Sequence, residues 1–299
     1  MRSVWLASYP KSGNTWLRIL LANLRQDQPV DINRLPGDRG IASARKPFDD
    51  LMLFPSGLLT HEECERLRPL VHAAVGRGRG YIDPALTPPP RIGETQFIKT
   101  HDAWLPTSDG VPVMGGCDAA DGAILIVRDP RDVAVSLAHH MGTDLDTTIN
   151  FLTSETAALC GRCDFQPQQL RQRLTSWAGF NASWLDQKEL PVLMIRYEDM
   201  KRDPVEVLIA ALDFAGLPAT RAEAEQAASF ATFEVLRDQE QRQGFRESPT
   251  RGAPRAFFRR GVSGGWRDEL TADQVARIER SQSAGMLRHG YAQSSVDLP

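Results

Sequence analysis

Three polar clusters in this sequence carry residue types that bind an anion and move a proton. "SYPKSGNT" places Lys11 among hydroxyl and amide side chains, and "VRDPRDVAVS" contains Arg128 and Ser136. Cationic and hydroxyl groups in such clusters bind phosphate or sulfate. "KTH" adds Lys99 and His101, and a histidine can act as a general base near neutral pH. Together the clusters predict an anion site with a candidate base beside it.

The first cluster lies where an apolar run, Val4–Ala7, gives way to a helical pattern that starts at Asn14. Free backbone N–H groups and the helix dipole favour an anion at such a helix start. Gly13 allows the backbone to come close to the anion. The side chains that add charge or donors are Lys11, Ser12, Asn14 and Thr15. An ordinary strand–turn–helix with a capping Ser or Asn is the alternative.

The segment after the apolar run "ILIV" is the second anion-binding candidate. Arg128 ends this run, and Ser136 lies within the helical pattern behind it. An arginine can bind a phosphate through two N–H groups, and a hydroxyl adds a directional donor. An ion pair of Arg128 with Asp129 or Asp132 is the structural alternative.

A metal-dependent phosphotransferase is the main functional alternative. Its loop would read GxxxxGK[ST], with the final hydroxyl on Mg²⁺. Here the order is Lys-Ser-Gly without an upstream glycine. Asp129 could imitate a metal-holding aspartate, but its neighbours Arg128 and Arg131 favour an arginine-bound anion. A nucleotide-binding protein without catalysis is the third alternative, and the presence of Lys99 and His101 argues against it.

Lys99 and His101 are two residues apart at the end of a predicted strand, so both side chains can project into the same crevice. A purely structural histidine is the alternative for His101. His139 and His140 lie in or at the end of a helical pattern, and we interpret them as structural or surface residues.

Alternation of strands and helices predicts the fold class. Four short apolar runs have the composition of buried parallel strands: Val4–Ala7, Phe97–Thr100, Ala123–Val127 and Val192–Arg196. Helical patterns follow several of them, which is typical of a doubly wound parallel sheet with helices on both faces. Without internal repeats, residues 1–299 are expected to form a single α/β domain.

Apolar periodicity and capping residues predict the helices. The predicted segments are 14–25, a helix from Pro130, 167–185, and a helix from Pro204 that Asp203 caps and Gly216 ends. Capping boxes at 220–223 and 271–274 are expected to open two later helices.

Two stretches are expected to lack regular structure. Residues 29–90 hold nine of the 20 prolines and predict an irregular insert after the first strand–helix unit. Residues 242–260 carry six arginines against one acid, Glu247, and predict a mobile basic flap. A solvated arginine-rich loop is the alternative for this second stretch.

The composition is that of a soluble globular protein, with a net charge of −3 that gives no reason to expect nucleic acid as a partner. No apolar run is long enough to span a bilayer, so a cytoplasmic protein without stable membrane insertion is expected. The "CGRC" spacing of Cys160 and Cys163 leaves a zinc site or a redox pair as alternatives to reduced thiols, which we favour.

Five blocks of the sequence, in order, resemble the cytosolic-type sulfotransferases that use 3′-phosphoadenosine 5′-phosphosulfate (PAPS). "SYPKSGNTW" resembles their P-loop-like 5′-phosphosulfate loop, "KTHDAW" the strand of the catalytic histidine, and "VRDPRDVAVS" the 3′-phosphate motif. "RYEDMKRDP" and "FFRRGVSGGW" resemble two later motifs of the family. The last motif usually has Asp where Gly265 stands, which affects the expected geometry of the flap.

The resemblance implies a role for each matched position. The 5′-phosphosulfate would be held by Lys11, Ser12, Gly13, Asn14 and Thr15, and the 3′-phosphate by Arg128, Ser136, Arg259, Arg260 and Gly261. The adenine would lie near Trp16, Tyr197, Thr232 and Phe233, with the rings of Trp16 and Phe233 on its two faces. The apolar character of Trp16 and Phe233 is equally typical of core residues.

The reaction implied is transfer of the sulfuryl group of PAPS to an acceptor hydroxyl by in-line displacement, with 3′-phosphoadenosine 5′-phosphate (PAP) as the product. His101 would be the general base, and Lys11 and Lys99 would stabilise the leaving phosphate oxygen. No metal is expected because the lysines supply positive charge. The expected partners are a hydroxyl-bearing acceptor and, as an open option, a second copy of the chain in a homodimer.

Overall fold

The computed structural model describes residues 2–35, 38–76, 95–162, 164–248 and 256–294. Its main sheet has five parallel strands in the order β2-β3-β1-β4-β7. These strands are β1 Arg2–Ser8, β2 Asp38–Ile41, β3 Thr95–Thr100, β4 Gly122–Val127 and β7 Val192–Arg196. A separate antiparallel pair joins β5 Ala158–Leu159 to β6 Gln172–Arg173.

Twelve α-helices lie in the described residues. The first six are α1 Asn14–Ala22, α2 Arg45–Met52, α3 His61–Gly76, α4 Gly116–Ala119, α5 Pro130–Met141 and α6 Leu145–Thr153. The others are α7 Trp177–Asp186, α8 Tyr197–Arg202, α9 Pro204–Phe214, α10 Arg221–Phe230, α11 Phe233–Gln243 and α12 Ala272–Arg288. Two 3₁₀ turns occupy Ser56–Leu58 and Gly265–Asp268.

Both faces of the sheet are covered, as the sequence predicts. Along β1, Val4 and Leu6 belong to a core shared with α1 and α9, whereas Trp5 and Ala7 belong to a second core with α5, α7 and α12. This alternation follows from the two-residue period of a strand. Burial on both faces explains why the strands have continuous apolar runs instead of an alternating pattern.

Most predicted helix starts are confirmed. Asp129 and Asp203 cap α5 and α9, and each helix has a proline in its first turn. Gly216 follows the end of α9 with a φ of 69°. Both capping boxes form, at Thr220 with Glu223 and at Thr271 with Gln274. In each box two backbone N–H groups that the helix cannot satisfy are bonded by side chains.

The predicted helix over 167–185 is wrong in its first half. Residues Gln172–Arg173 form β6, and the helix begins only at Trp177, where the Ser176 side chain accepts the N–H of Gly179 at 3.1 Å. The apolar residues Leu170 and Leu174 are buried without being helical. They lie in an extended chain, in which residues four positions apart also point to the same side.

The prediction of an irregular segment over 29–90 is wrong for residues 38–76. That part contains β2, which extends the sheet beyond the four predicted strands, together with α2 and the 16-residue α3. Pro69 lies inside α3. The "TPPP" stretch falls outside the described residues, as do residues 249–255 of the predicted flap.

None of the described helices combines the length and the apolar character that a membrane crossing requires. Three cysteines, Cys64, Cys117 and Cys160, are free thiols, and Cys163 lies outside the described residues.

Candidate active site

The carboxyl ends of the central strands meet at one edge of the sheet. Ala7 of β1 pairs with Thr100 of β3, and Val127 of β4 pairs with Arg196 of β7. The loops that follow these strands therefore emerge side by side. Ligands of open α/β sheets bind at this edge, beside the strand where the topology reverses, which here is β1.

A cavity of about 680 Å³ opens at this edge. Fourteen of the sixteen predicted site residues line it, namely Lys11, Gly13, Asn14, Thr15, Trp16, Lys99, His101, Arg128, Ser136, Tyr197, Phe233, Arg259, Arg260 and Gly261. Residues far apart in the sequence are thus brought together around one space, as the resemblance implies.

The two other predicted residues, Ser12 and Thr232, are not part of the cavity lining. Thr232 caps α11, and its hydroxyl accepts the N–H of Val235 at 3.4 Å. Ser12 is fully buried in the loop, and within the described ranges its Oγ has no hydrogen-bond partner. A buried hydroxyl without a partner is rare in proteins.

The loop after β1 has a fixed shape. Gly13 has a φ of 106°, and a Cβ atom there would lie 2.6 Å from the Tyr197 ring, so only glycine fits. The Asn14 amide donates to the carbonyl of Leu6 at 2.8 Å and to Ser8 Oγ at 3.2 Å, which ties the start of α1 back to β1. Asn14 therefore shapes the loop as well as lining the cavity.

Lys11 is held in this loop with a φ of 68°, an uncommon conformation for a residue with a side chain. Its Nζ lies 3.7 Å from the centroid of the Phe257 ring. Burial, and after it the positive charges of Lys99 and Arg128, lowers the pKa of Lys11 to about 7. Three cations are thus concentrated at one place, which favours an anionic ligand.

The imidazole of His101 has one defined neutral tautomer. Its Nδ1 lies 2.7 Å from the carbonyl oxygen of Ser8, and a carbonyl can only accept, so Nδ1 carries the proton. Nε2 is then left with a lone pair. Burial first, and then the charge of Lys99, lowers the pKa of His101 to about 3, so the ring is neutral at physiological pH. A neutral imidazole with a free lone pair can accept a proton.

Arg128 lies between the loop and the C-terminal motif. Its guanidinium donates to the carbonyl oxygens of Lys11 and Val262, both at 3.1 Å, and lies 4.3 Å from the centroid of the Tyr197 ring. Its Nε is buried and has no hydrogen-bond partner among the described residues. These contacts differ from the expected alternative, an ion pair with Asp129 or Asp132.

Asp129 is occupied by its own helix. Its carboxylate accepts the backbone N–H of Arg131 at 2.9 Å and pairs with the Arg131 guanidinium at 2.6 Å. Arg131 also pairs with Glu279 at 2.6 Å. Asp129 is therefore a helix cap in a buried ion-pair network, not the metal-holding aspartate of the phosphotransferase alternative. Across the described part of the chain, no group of three or more His, Cys, Asp or Glu residues could hold a metal ion.

The aromatic residues near the predicted adenine position also contact one another. The indole N–H of Trp16 donates to the carbonyl of Ala231 at 2.9 Å, and its ring packs edge-on against Tyr197 at 6.0 Å. Gly261 has a φ of 60°, and a Cβ atom there would lie 2.4 Å from the Phe233 ring. Trp16 and Phe233 line the cavity, while stacking on adenine stays a prediction.

The two arginines of the C-terminal motif pair with acidic side chains. Arg259 binds Glu269 at 2.8 Å and contacts His139 at 2.9 Å, and Arg260 binds Asp268 at 2.6 Å. The motif usually has Asp where Gly265 stands. Here the turn around Gly265 is held by a carboxylate from another helix. Asp132 of α5 accepts the N–H groups of Gly264 at 2.7 Å and of Trp266 at 3.0 Å, so this turn is fixed to α5.

Sequence reasoning missed two features of the cavity. Glu247, seen only as the one acid of a basic stretch, binds Lys99, Thr15 and Arg18 within the site. His140, interpreted as structural or surface, lines the cavity, and burial, followed by the charges of Lys11 and Lys99, lowers its pKa to about 4. The one available signal was Arg18, a charge within an otherwise apolar helix.

The family model described as sulfotransferase domain matches residues 123–287 of this chain. Two curated relatives have similar sequences along most of the chain. Cytosolic sulfotransferase 17 of Arabidopsis thaliana is 25% identical over 288 residues, covering 92% of this chain and 71% of the relative. Flavonol 3-sulfotransferase of Flaveria bidentis is 25% identical over 287 residues, covering 93% and 79%.

Among solved structures, a mouse sulfotransferase in complex with PAP has a similar fold. The two structures superpose with a TM-score of 0.56 at 19% sequence identity, over 95% of this chain and 84% of the mouse chain. At this identity the likeness concerns the arrangement of the sheet and helices.

Proposed function

This chain belongs to the sulfotransferase family, and we propose that it transfers the sulfuryl group of PAPS to an acceptor hydroxyl with His101 as the general base. The observation that carries the proposal is the neutral tautomer of His101 beside Lys99 and Lys11 in the cavity. The phosphotransferase alternative finds no support in the family match.

The residues of the cavity fit the charges of PAPS. The buried polar atoms Ser12 Oγ and Arg128 Nε have no hydrogen-bond partner in the described ranges, and both belong to loops that suit an anion. Gly13 and Gly261 line the cavity and pack against the rings of Tyr197 and Phe233, where a Cβ atom would lie only 2.6 and 2.4 Å away. We assign the 5′-phosphosulfate to the loop of Lys11 and the 3′-phosphate to Arg128 and Ser136.

When bound, PAPS supplies an electrophilic sulfur and a phosphate leaving group. An acceptor hydroxyl is a poor nucleophile until its proton is removed. His101 Nε2 has the free lone pair to take that proton, because Nδ1 is committed to the carbonyl of Ser8 at 2.7 Å. Such general-base assistance contributes about 10²–10⁴-fold to the rate.

The lysines provide the second contribution. Lys11 and Lys99 line the cavity together with His101, and negative charge grows on the leaving oxygen as the reaction proceeds. Fixed cations and backbone N–H groups of the loop stabilise this charge without reorganising. Because these groups supply the positive charge, we propose that the reaction needs no metal.

The remainder of the cavity suits the body of an acceptor. Ile41 of β2 and Leu159 of β5 add apolar surface to the lining, and Gln169 adds an amide. Apolar walls with a few polar groups are typical of small-molecule sites. A hydroxyl on a partly apolar skeleton is therefore the proposed acceptor, and the cytosolic name of the Arabidopsis relative agrees with a cytoplasmic site of action.

The decisive experiment is a panel of phenols, alcohols and sugars incubated with isotopically labelled PAPS and analysed by mass spectrometry. We expect label on an acceptor hydroxyl, formation of PAP, and the same rate when a metal chelator is present. Mg²⁺-dependent consumption of ATP, without any transfer from PAPS, would contradict the proposal. PAP binding without transfer to any acceptor would support the non-catalytic alternative.

A further inference from the structure

A carboxylate lies within the cationic part of the cavity. Glu247, four residues after α11 ends, accepts from Arg18 Nη1 through Oε1 at 2.7 Å. Its Oε2 accepts from Thr15 Oγ1 at 3.0 Å and from Lys99 Nζ at 3.1 Å. Resting on the proposed function, we propose that Glu247 is a positioning residue for sulfuryl transfer, which holds the Lys99 ammonium beside His101.

The anchor of Glu247 is independent of the nucleotide. Arg18 lies on α1 with only 3% of its side chain exposed, and it is absent from the set of residues that the family motifs assign to PAPS. A buried guanidinium needs a carboxylate partner, because an unpaired buried charge is costly. The Arg18–Glu247 pair therefore keeps the carboxylate in place. This argues against the alternative that Glu247 only occupies the anion site when the nucleotide is absent.

Glu247 connects three elements of the site. Thr15 lies in the first turn of α1, Lys99 is the last but one residue of β3, and Glu247 follows α11, so one carboxylate oxygen joins the first two to the third. A lysine has four rotatable side-chain bonds, and a fixed partner restricts them. Since the rate depends on the alignment of reacting groups, restricting Lys99 favours the reactive arrangement.

The charge of Glu247 also acts on the lysines and the histidine. Lys11 is surrounded by the cations Lys99 and Arg128, which lower its pKa, and by the carboxylates Glu247 and Glu240, which raise it. The same Glu247 opposes the effect of Lys99 on the pKa of His101. His140 on α5 faces these lysines as well. Removing the carboxylate charge should thus make Lys11 lose its proton at lower pH.

The test is E247Q, which keeps the shape of the side chain and removes its charge. We expect kcat to fall by up to about 100-fold, as for a misaligned catalytic group. PAP affinity, measured by calorimetry, should change much less. In the pH profile of kcat/KM for PAPS, the decline on the alkaline side should move to lower pH.

Two matched variants make the result specific. E223Q removes an equivalent carboxylate that pairs with Arg25 on the surface at 2.7 Å, and it should leave the pH profile unchanged. E247D keeps the charge. It should recover part of kcat, and its kcat/KM should decline at the same alkaline pH as that of the wild type. Thermal unfolding of every variant separates misfolding from a catalytic effect.

Two outcomes would overturn this role. An E247Q variant with wild-type kcat and pH profile shows that the carboxylate is only structural. Tighter PAP binding together with a higher kcat/KM shows that Glu247 obstructs the site. Both outcomes can be observed only if the wild-type protein transfers the sulfuryl group. A wild-type protein that shows no transfer would contradict the proposed function, not the role of Glu247.

Discussion

Two regions that are expected to bind the anion differ in whether their polar groups already have protein partners. In the loop after β1 and the end of β4, Ser12 Oγ and Arg128 Nε are buried, and no described residue bonds to them. In the C-terminal motif, "FFRRGVSGGW", both arginines are engaged in ion pairs, Arg259 with Glu269 at 2.8 Å and Arg260 with Asp268 at 2.6 Å.

The difference concerns preorganisation. Arg128 donates to two neutral backbone carbonyls, whereas Arg259 and Arg260 must first give up a carboxylate. The net gain from the second region is therefore smaller, although it contributes two arginines. We expect the strand-end loops to dominate both catalysis and affinity, with the C-terminal motif adding a modest contribution.

The largest effect is expected at the strand ends, for H101A. Because His101 Nε2 is the proposed proton acceptor, kcat should fall by about 10²–10⁴-fold. PAP affinity should stay near that of the wild type. The measurement is steady-state transfer with the acceptor found in the panel, alongside calorimetry with PAP. H61A, at a partly exposed histidine on α3, is the control, and near-wild-type turnover of H101A would rule out the base role.

The second effect is expected for K11A in the same region. Loss of a fixed cation at the leaving oxygen should lower the rate of the chemical step by about 10²–10³-fold. Single-turnover kinetics separate this step from nucleotide binding, which should be weakened less. K46A, with its lysine on the surface of α2, provides the comparison. Equal chemical rates in K11A and K46A would remove Lys11 from the mechanism.

A direct comparison of the two regions comes from R128A and R259A. Arg128 lines the cavity and donates to backbone carbonyls instead of a carboxylate, so R128A should weaken PAP binding by about 1.5–3 kcal/mol, as for a hydrogen bond to a charged group. R259A should cost less, because binding there requires Arg259 to leave Glu269. Calorimetric Kd values for PAP test the order. A larger loss in R259A would reverse the proposed division of roles.

The smallest effect is expected for E269Q, which weakens the carboxylate that holds Arg259 and Arg260. PAP binding should become tighter by about 0.2–1 kcal/mol, the usual strength of an exposed ion pair. The control is D186N, which breaks a comparable surface pair with Arg288 at 2.7 Å. Weaker binding in E269Q would mean that Glu269 orients the arginines for the nucleotide instead of competing for them.

The sequence predicted those parts of the fold that depend on local pattern. Strands buried on both faces produce continuous apolar runs, and helix starts carry their own capping residues, so β1, β4, α5 and α9 were found. The strand β2 was missed because Asp38–Ile41 has one apolar residue among its four and pairs only at the edge of the sheet. The false helix over 167–185 arose because this extended segment buries every second residue, and the buried residue between Leu170 and Leu174 is the polar Gln172, which leaves an apparent apolar spacing of four.

Candidate site residues could be predicted from the sequence where a single short motif contains all the informative positions. The order of Lys11, Ser12 and Gly13 already distinguished this loop from a nucleotide-kinase loop. Thr232 was assigned through the resemblance alone, and in the structure its hydroxyl accepts the Val235 N–H at the start of α11. A side chain at a helix start can cap the helix or bind a ligand, and the sequence does not distinguish these two roles.

The sequence by itself determined the sheet class, and it identified the candidate anion loop and the candidate base. Only the tertiary structure decided the protonated nitrogen of His101, the acidic partners of Arg259 and Arg260, and the position of Glu247 between Lys99 and Arg18. The physical reason is the separation of these partners along the chain: Glu247 is 148 residues from Lys99. Local patterns record the propensity of a segment, whereas the pairing of distant charges depends on how the strands and helices are packed.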